Sequence, residues 1–432
     1  MLSTSTAPQQ ATFSMRKWKT VLLASLGSSL EMYDFIVYGV FAKQIASQFF
    51  PSFDPVVALI SSFGVFAVGY VSRPLGAIVL SSFGDRHGRK YVFLVSVLAM
   101  SASTIGIGLL PGYATIGVVA PLLLILLRLM QGFFLAGELP CAITYVVEEV
   151  PQKAGFVSGL VLFFLNSGIF IATMTNFVIQ SSLSAADVHS YGWRIAFCLG
   201  GLLGLVSYFL RRSLEETQEF ARMRTHVSRK PFRDLIAHHG KAVLIGVGIS
   251  SVVNASNIML FVFFPNFATN TLHHDARLVS ACQNVGVACL SISILFSGWL
   301  CDHLPRRIVH RIGTLLMIGG SYPLYLALVA GTIDLLTAVI AMGLVGGLVA
   351  GAYACILADL FPTEVRFSGI ALSLNLSTVI FTGLTPVAIT FLIKATKHAA
   401  MPGVYIALVA LLALCAGLLL KHFGGRLRKA EA

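Results

Sequence analysis

The segment GDRHGRK occupies positions 84–90, just after the second long apolar block of the chain, and CDHLPRR occupies positions 301–307, just after the eighth. Asp85 falls in register with Asp302, Arg89 with Arg306 and Lys90 with Arg307, at an offset of 217 residues. A second pair of segments, EEVPQKAGFVSG at 148–159 and DLFPTEVRFSG at 359–369, aligns Glu148 with Asp359 and Pro151 with Pro362 at an offset of 211. Two matches at nearly one period describe a duplicated unit of about half the chain. In membrane proteins such internal repeats build a site between two related halves that rock about it.

Composition names the solvent around these repeats. Hydrophobic residues make up 56% of the 432 positions and charged residues only 11%, and the mean hydropathy is +0.85. A water-soluble domain carries about a quarter charged residues, so this chain meets lipid. Its apolar residues fall in blocks of the length that crosses a bilayer, roughly 20 residues. Twelve spans are expected, at 18–42, 55–82, 91–111, 116–146, 155–182, 193–212, 242–270, 278–302, 312–331, 334–359, 367–393 and 402–421. The fold class is therefore an all-α membrane protein with twelve transmembrane helices in two pseudo-symmetric six-helix bundles.

The long polar stretch 211–241 holds eight Lys and Arg and divides the spans six and six. It separates an N-terminal bundle at 16–210 from a C-terminal bundle at 242–421, with a polar tail at 1–15 and a short basic tail at 422–432. At about 30 residues the stretch is too short for a core of its own. Lys and Arg also orient the chain. With both termini in the cytoplasm, 23 of the 30 basic residues lie on cytoplasmic segments and five outside: Lys43, Arg194, Arg277, Lys394 and Lys397. The net charge of +12 thus reflects topology and affinity for anionic membrane lipids, with no nucleic-acid partner implied. Polar residues 1–15 and a long first block without a small-residue cleavage site argue against a cleaved signal peptide. The seven cysteines sit in or beside apolar spans without metal spacing and read as small core residues.

These motifs carry a family resemblance. GDRHGRK, its echo, and Arg128-Leu-Met-Gln131-Gly132 resemble signatures of the major facilitator superfamily. Within it the chain is similar to the metabolite–proton symporters, which include proline/betaine, 2-oxoglutarate, citrate and shikimate transporters. The similar segments include Glu31-Met-Tyr-Asp34-Phe, Arg73-Pro74-Leu-Gly76, Gln131 to Glu138, Gly192-Trp193-Arg194, Arg211-Arg-Ser-Leu-Glu215-Glu216-Thr and Leu360-Phe-Pro362-Thr-Glu-Val-Arg366. They run from the first span to the eleventh. Ser81 stands where the loop motif usually opens with Gly, Pro305 replaces the second Gly of the echo, and Met32 stands where the family usually has Trp.

Ionisable groups inside the hydrocarbon are costly and usually functional. Five are expected there, all in the first half: Glu31, Asp34, Arg73, Arg128 and Glu138. The eleven histidines fall in loops or at span ends, so a proton carrier in the core must be a carboxylate. At about 1.5 Å per residue, Glu31 lies roughly 18 Å beyond Lys19 and Asp34 one turn deeper on the same face. Arg73 and Arg128 reach a similar depth. Arg128 either locks the first and fourth spans through Asp34 or Glu31, or forms a titrating pair with Asp34. The resemblance favours the second role, since sugar–proton symporters of the superfamily have an acid in the first span facing an arginine in the fourth. Arg73 either packs against backbone carbonyls or holds a substrate carboxylate bidentately. Glu138 is either a proton carrier or a structural partner of Arg86 or a neighbouring helix end.

The second half offers amides and aromatics at this depth: Asn254 and Asn257 one turn apart, Gln283, Tyr353 and Asn375. With Tyr33, Gln131 and Asn166 of the first half they are candidate substrate contacts; interhelical hydrogen bonding is the alternative for each. Gly343, Gly347 and Gly351 form a small-residue stripe for close helix packing. Asp85, Arg86, Arg89, Glu148, Asp302, Arg306, Asp359 and Arg366 are candidate gating residues. An aspartate closing one span can rest on the N-terminal dipole of a neighbouring helix or accept from a nearby arginine. In the superfamily this contact resembles a cytoplasmic latch on the outward-open state.

The reading is a secondary active transporter, not an enzyme: HExxH, Walker and nucleophile-elbow signatures are missing from the sequence. It is expected to import a small carboxylate-bearing metabolite or zwitterion with protons, without a cofactor or metal, as a monomer in the bacterial inner membrane. An exporting proton antiporter is the main rival reading, and a transporter-like receptor a remote one.

Overall fold

The computed structural model describes residues 15–50, 64–65, 68–215 and 231–423. The tail before residue 15, most of the first half of the second span, the middle of the 211–241 stretch and the end of the C-terminal tail lie outside the described residues, as does the side chain of Glu31. Among the described residues there is no strand. Ten helices among the described residues are long and apolar enough to cross a membrane, from Arg89–Leu109 to Met401–Leu420, and they are the expected third to twelfth spans. The second span is represented by Arg73–His87. The first comes in two pieces, Met15–Leu26 and Ser28–Val40.

The residue between the two pieces, Gly27, has helical dihedrals and is small for a steric reason. A Cβ on Gly27 would lie 1.9 Å from the Arg211 guanidinium, which also donates to the Leu23 and Ala24 carbonyls. Only a residue without a side chain lets the guanidinium seat there. The fourth span is expected to begin at 116, but its helix begins at Val119. A short turn, Tyr113–Ile116, precedes it and ends at Gly117 with φ +59°, a backbone glycine adopts freely. At 31 residues the fourth-span helix is roughly 46 Å long, well beyond a hydrocarbon core of about 30 Å. It therefore carries Glu148 out past the lipid. The seventh-span helix starts at Pro231, inside the stretch read from sequence as linker.

Small residues set how closely helices approach. In the tenth span, Cβ atoms on Gly343, Gly347 and Gly351 would lie 2.3, 2.5 and 2.5 Å from the carbonyl oxygens of Gly286, Leu290 and Ile294 in the eighth. Ser293 and Ser297 donate across the same contact to Leu344 and Leu348. The stripe read from sequence is thus a helix seam. Large apolar side chains such as Leu122, Leu126, Phe170, Phe177, Phe209 and Phe391 are exposed on the outside, as a lipid-facing surface requires. The seven cysteines are free.

Two spans of the second half carry a π-helical turn, Met259–Phe263 in the seventh and Thr378–Thr382 in the eleventh. Such turns leave backbone groups without their usual i−4 partners and recur at functional sites. Here both lie against the space between the halves.

Candidate transport site and gate

Between the halves, a central cavity is lined by Arg73, Asn166, Asn254, Asn257, Tyr353 and Asn375, with an apolar remainder that includes Met32, Ile36, Leu162, Val253 and Phe261. Six of the nine substrate contacts suggested by the sequence thus meet in one place. The Arg73 guanidinium sits 4.5 Å from the centre of the Tyr70 ring, a cation–π contact that holds it at the wall. Among the described residues no carboxylate lines this cavity. Asn254 is fixed by the Ser377 hydroxyl at 3.0 Å and by Thr378, which donates to its carbonyl. Asn375 donates to the Ala136 carbonyl of the opposite half at 2.9 Å.

The cavity continues into a vestibule of about 700 Å³ that shares Ile36, Tyr70, Ile258, Phe261, Val262 and Thr382 with it. Gln283 lines the vestibule and not the central cavity. Its amide donates to the Leu260 and Phe261 carbonyls at 3.2 Å each, satisfying acceptors that the π turn releases. Tyr33 and Gln131 also lie elsewhere. The Tyr33 hydroxyl donates to the Ala196 carbonyl inside the first half, and Gln131 is 5% exposed within the same bundle.

Gln131 belongs to a second polar group, inside the first half. Asp34 accepts from Thr104 at 2.7 Å. Gln131 donates to the same Thr104 oxygen at 2.7 Å and accepts from Arg128 at 2.9 Å. Arg128 lies 3.5 Å over the Tyr38 ring. The acid and the arginine expected to face one another are therefore joined through Thr104 and Gln131, and neither lines the central cavity. Glu138 sits deeper in the bundle, 2% exposed. Its partner is Arg211, at the end of the sixth span, and not Arg86, which is exposed. The missed members of these groups differ in legibility. Tyr38 lies four residues after Asp34 and Tyr70 three before Arg73, so helical spacing could have flagged both. Thr104 and Arg211 carry no such local signal.

On the side opposite the vestibule the halves are latched twice, reciprocally. Asp85, closing the second span, accepts from the Ser368 backbone N–H at 2.9 Å and hydroxyl at 2.6 Å, at the N-terminus of the eleventh-span helix Arg366–Ser377. Asp302, closing the eighth, accepts from the Gly155 and Phe156 N–H groups at 2.7 and 2.8 Å, at the N-terminus of the fifth-span helix. Each aspartate thus caps a helix of the other half, where the dipole favours an anion. Behind the first latch, Glu148 accepts from Arg89 at 3.2 Å and from Arg366 at 3.1 Å. Arg89 also lies 3.5 Å from Asp85 and donates to the Thr363 carbonyl across the interface. The equivalent pair in the second half is Arg306 with Asp359. The two repeated motifs are thus the two sides of one closure.

Two related helical halves, latched on one side and open through a vestibule on the other, define a polytopic membrane carrier. The chain belongs to the major facilitator superfamily, whose family model matches residues 24–386. It is 31% identical over 427 residues to the glycine betaine/proline/ectoine/pipecolic acid transporter OusA of Dickeya dadantii, covering 94% of this chain and 83% of that protein. It is 33% identical over 427 residues to a citrate-proton symporter of Klebsiella pneumoniae, covering 96% of this chain and 95% of that one. The fold is also similar to the proton:xylose symporter XylE bound to 6-bromo-6-deoxy-D-glucose, with TM-score 0.74 at 16% identity over 94% of this chain and 95% of that one. The chain is accordingly a secondary transporter and a multi-pass protein of the bacterial inner membrane, not an enzyme.

Proposed function

We propose that this carrier imports a small carboxylate-bearing metabolite or zwitterion together with protons, by alternating access. The observation that carries the reading is the division of charges between two compartments. The cavity offers one guanidinium, Arg73, beside amides and Tyr353. The acid Asp34 lies apart from it, in the Thr104–Gln131–Arg128 group. Arg73 takes the substrate carboxylate through its two-pronged donor face, and Asn166, Asn254 and Asn257 take its polar substituents. Relatives that carry proline, betaines or citrate fit a substrate with at least one carboxylate.

The separation changes how coupling has to work. A substrate carboxylate cannot replace Asp34 at Arg128 without leaving the cavity. Coupling runs instead through the first span, which presents Met32 and Ile36 to the cavity and Asp34 to the interior of the first half. A proton on Asp34 weakens its attraction to Arg128 and alters how this span packs, and substrate binding on the other face biases the same packing. Proton and substrate then favour each other, and linkage makes the effect reciprocal. The latch formed by Asp85, Asp302, Glu148 and Arg366 faces the cytoplasm, as the distribution of basic residues requires. The vestibule then faces out, and both termini lie inside. One chain supplies both walls of the cavity, so the working unit is the monomer, with its basic segments against anionic lipid headgroups and the proton as sole coupling ion.

The test is Asp34→Asn in proteoliposomes with radiolabelled proline, glycine betaine and citrate. Counterflow should persist, because the neutral amide mimics the protonated acid. Accumulation driven by an imposed pH gradient should be lost. Gradient-driven accumulation at the unaltered level would remove Asp34 from the coupling mechanism.

A further inference from the structure

The substrate cavity does not reach Asp34, so the proton needs a route of its own. A small gap inside the first half supplies one. Asp34, Thr104 and Ser101 line it together with Glu138, and it leaves about 10 Å³ for the centre of a water molecule, close to the least space one water needs. Glycines keep it open. A Cβ on Gly200 would come within 3.1 Å of an Asp34 carboxylate oxygen, and one on Gly204 would lie 2.0 Å from the Ser101 hydroxyl.

The second observation is on Glu138. One carboxylate oxygen, Oε1, is taken by Arg211. The other, Oε2, is buried and has no hydrogen-bond partner among the described residues. A buried acceptor left unmatched is costly, and a bridging water removes that cost. Arg211 is itself fully buried, is tied to the carbonyls of Leu23 and Ala24, and ends the sixth-span helix where the basic 211–241 stretch begins. The charged and titratable groups around the two acids are Arg128 and Tyr33 beside Asp34 and Arg211 beside Glu138; the Glu31 side chain lies outside the described residues.

We infer that Glu138 is the proton relay of Asp34, connected to it through this water-sized gap within the first half and drawing the proton toward the Arg211 end of the bundle, apart from the substrate. The inference rests on the reading of Asp34 as the coupling acid. The transfer balances simply. The Asp34 O–H bond breaks as its proton passes to the bridging water, which gives one of its own to Glu138 Oε2. Glu138 then gives up a proton to water. Asp34 ends ionised, Glu138 returns to a carboxylate, and Arg211 stays protonated throughout, holding Oε1 in place.

The experiment needs no substrate. Time-resolved infrared spectroscopy after a pH jump on the purified full chain reads the Asp34 carboxyl band, assigned by its loss in Asp34→Asn. In Glu138→Gln the equilibrium titration of that band should persist while its exchange rate falls about 10²-fold, the lower end of what a positioned acid–base group contributes. Ser101→Thr, which adds a methyl to the gap and leaves the Glu138–Arg211 pair intact, should slow exchange in the same direction and serves where the Gln variant does not fold. An unaltered exchange rate in Glu138→Gln, or in Ser101→Thr in its place, overturns the relay alone. The absence of any titrating Asp34 band overturns the coupling role of Asp34, and the relay with it.

Discussion

Removing the charge of Glu148 should open the latched side. In Glu148→Gln the acceptor oxygen and the shape remain, so the hydrogen bonds from Arg89 and Arg366 can persist; what disappears is the anion between two guanidinium groups whose side chains are 1% and 2% exposed. Taking one partner from a buried ion pair costs about 3–5 kcal/mol. Asp85 stays 3.5 Å from Arg89 and compensates part of the loss, so we take the lower figure, about 3 kcal/mol. Once the halves part on this side the same guanidinium groups are hydrated, and the cost falls almost wholly on the latched state. At about 1.4 kcal/mol per factor of ten, the latched-to-open ratio shifts roughly 10²-fold toward open. The assay follows the minor, open state. Ala371 is fully buried, three residues beyond the latched Ser368 and four before Asn375. As a single cysteine on a cysteine-free background, Ala371→Cys should react with a maleimide only when this side opens. Its labelling rate should rise about 10²-fold on adding Glu148→Gln, until opening no longer limits it. A rise below about threefold would refute the argument that the Glu148 cluster holds the closure.

Arg73→Lys keeps the charge at the cavity wall but loses the planar fork; it should weaken binding of the best of proline, glycine betaine and citrate about tenfold or more with little change in thermal stability, and unchanged affinity by calorimetry would make Arg73 structural. A single cysteine placed in the 216–230 part of the linker should be protected from an impermeant thiol reagent in intact spheroplasts and labelled after permeabilisation; labelling in the intact cells would reverse the topology.

How much of this was legible beforehand depended on whether a property is set along one helix or between helices. Span count, two-fold repeat and helix seam were read from the chain because length, apolarity and small-residue spacing act locally. Contact of Asp85 and Asp302 with helix N-termini was one of two pairings that an acid repeated at a span end offered, a nearby arginine being the other. The choice among the buried acids and arginines did not. Helical period tells which residues share a face, as it does for Asp34 and Tyr38. It does not tell which way that face points when both sides of a helix are packed against protein.

By itself, the sequence determined that this chain lives in lipid, crosses it about twelve times in two related halves, and keeps charge at a few deep positions in the first half. Only the tertiary structure decided what those charges meet. Arg73 was turned to the central cavity, Asp34 and Arg128 to the interior of one bundle, and Glu138 to Arg211, 73 residues away. The reason is physical. Burial in lipid selects apolar surface residue by residue, so it is written in composition. The partner of a buried charge is set by the rotation and crossing of whole helices, which depend on every contact at once.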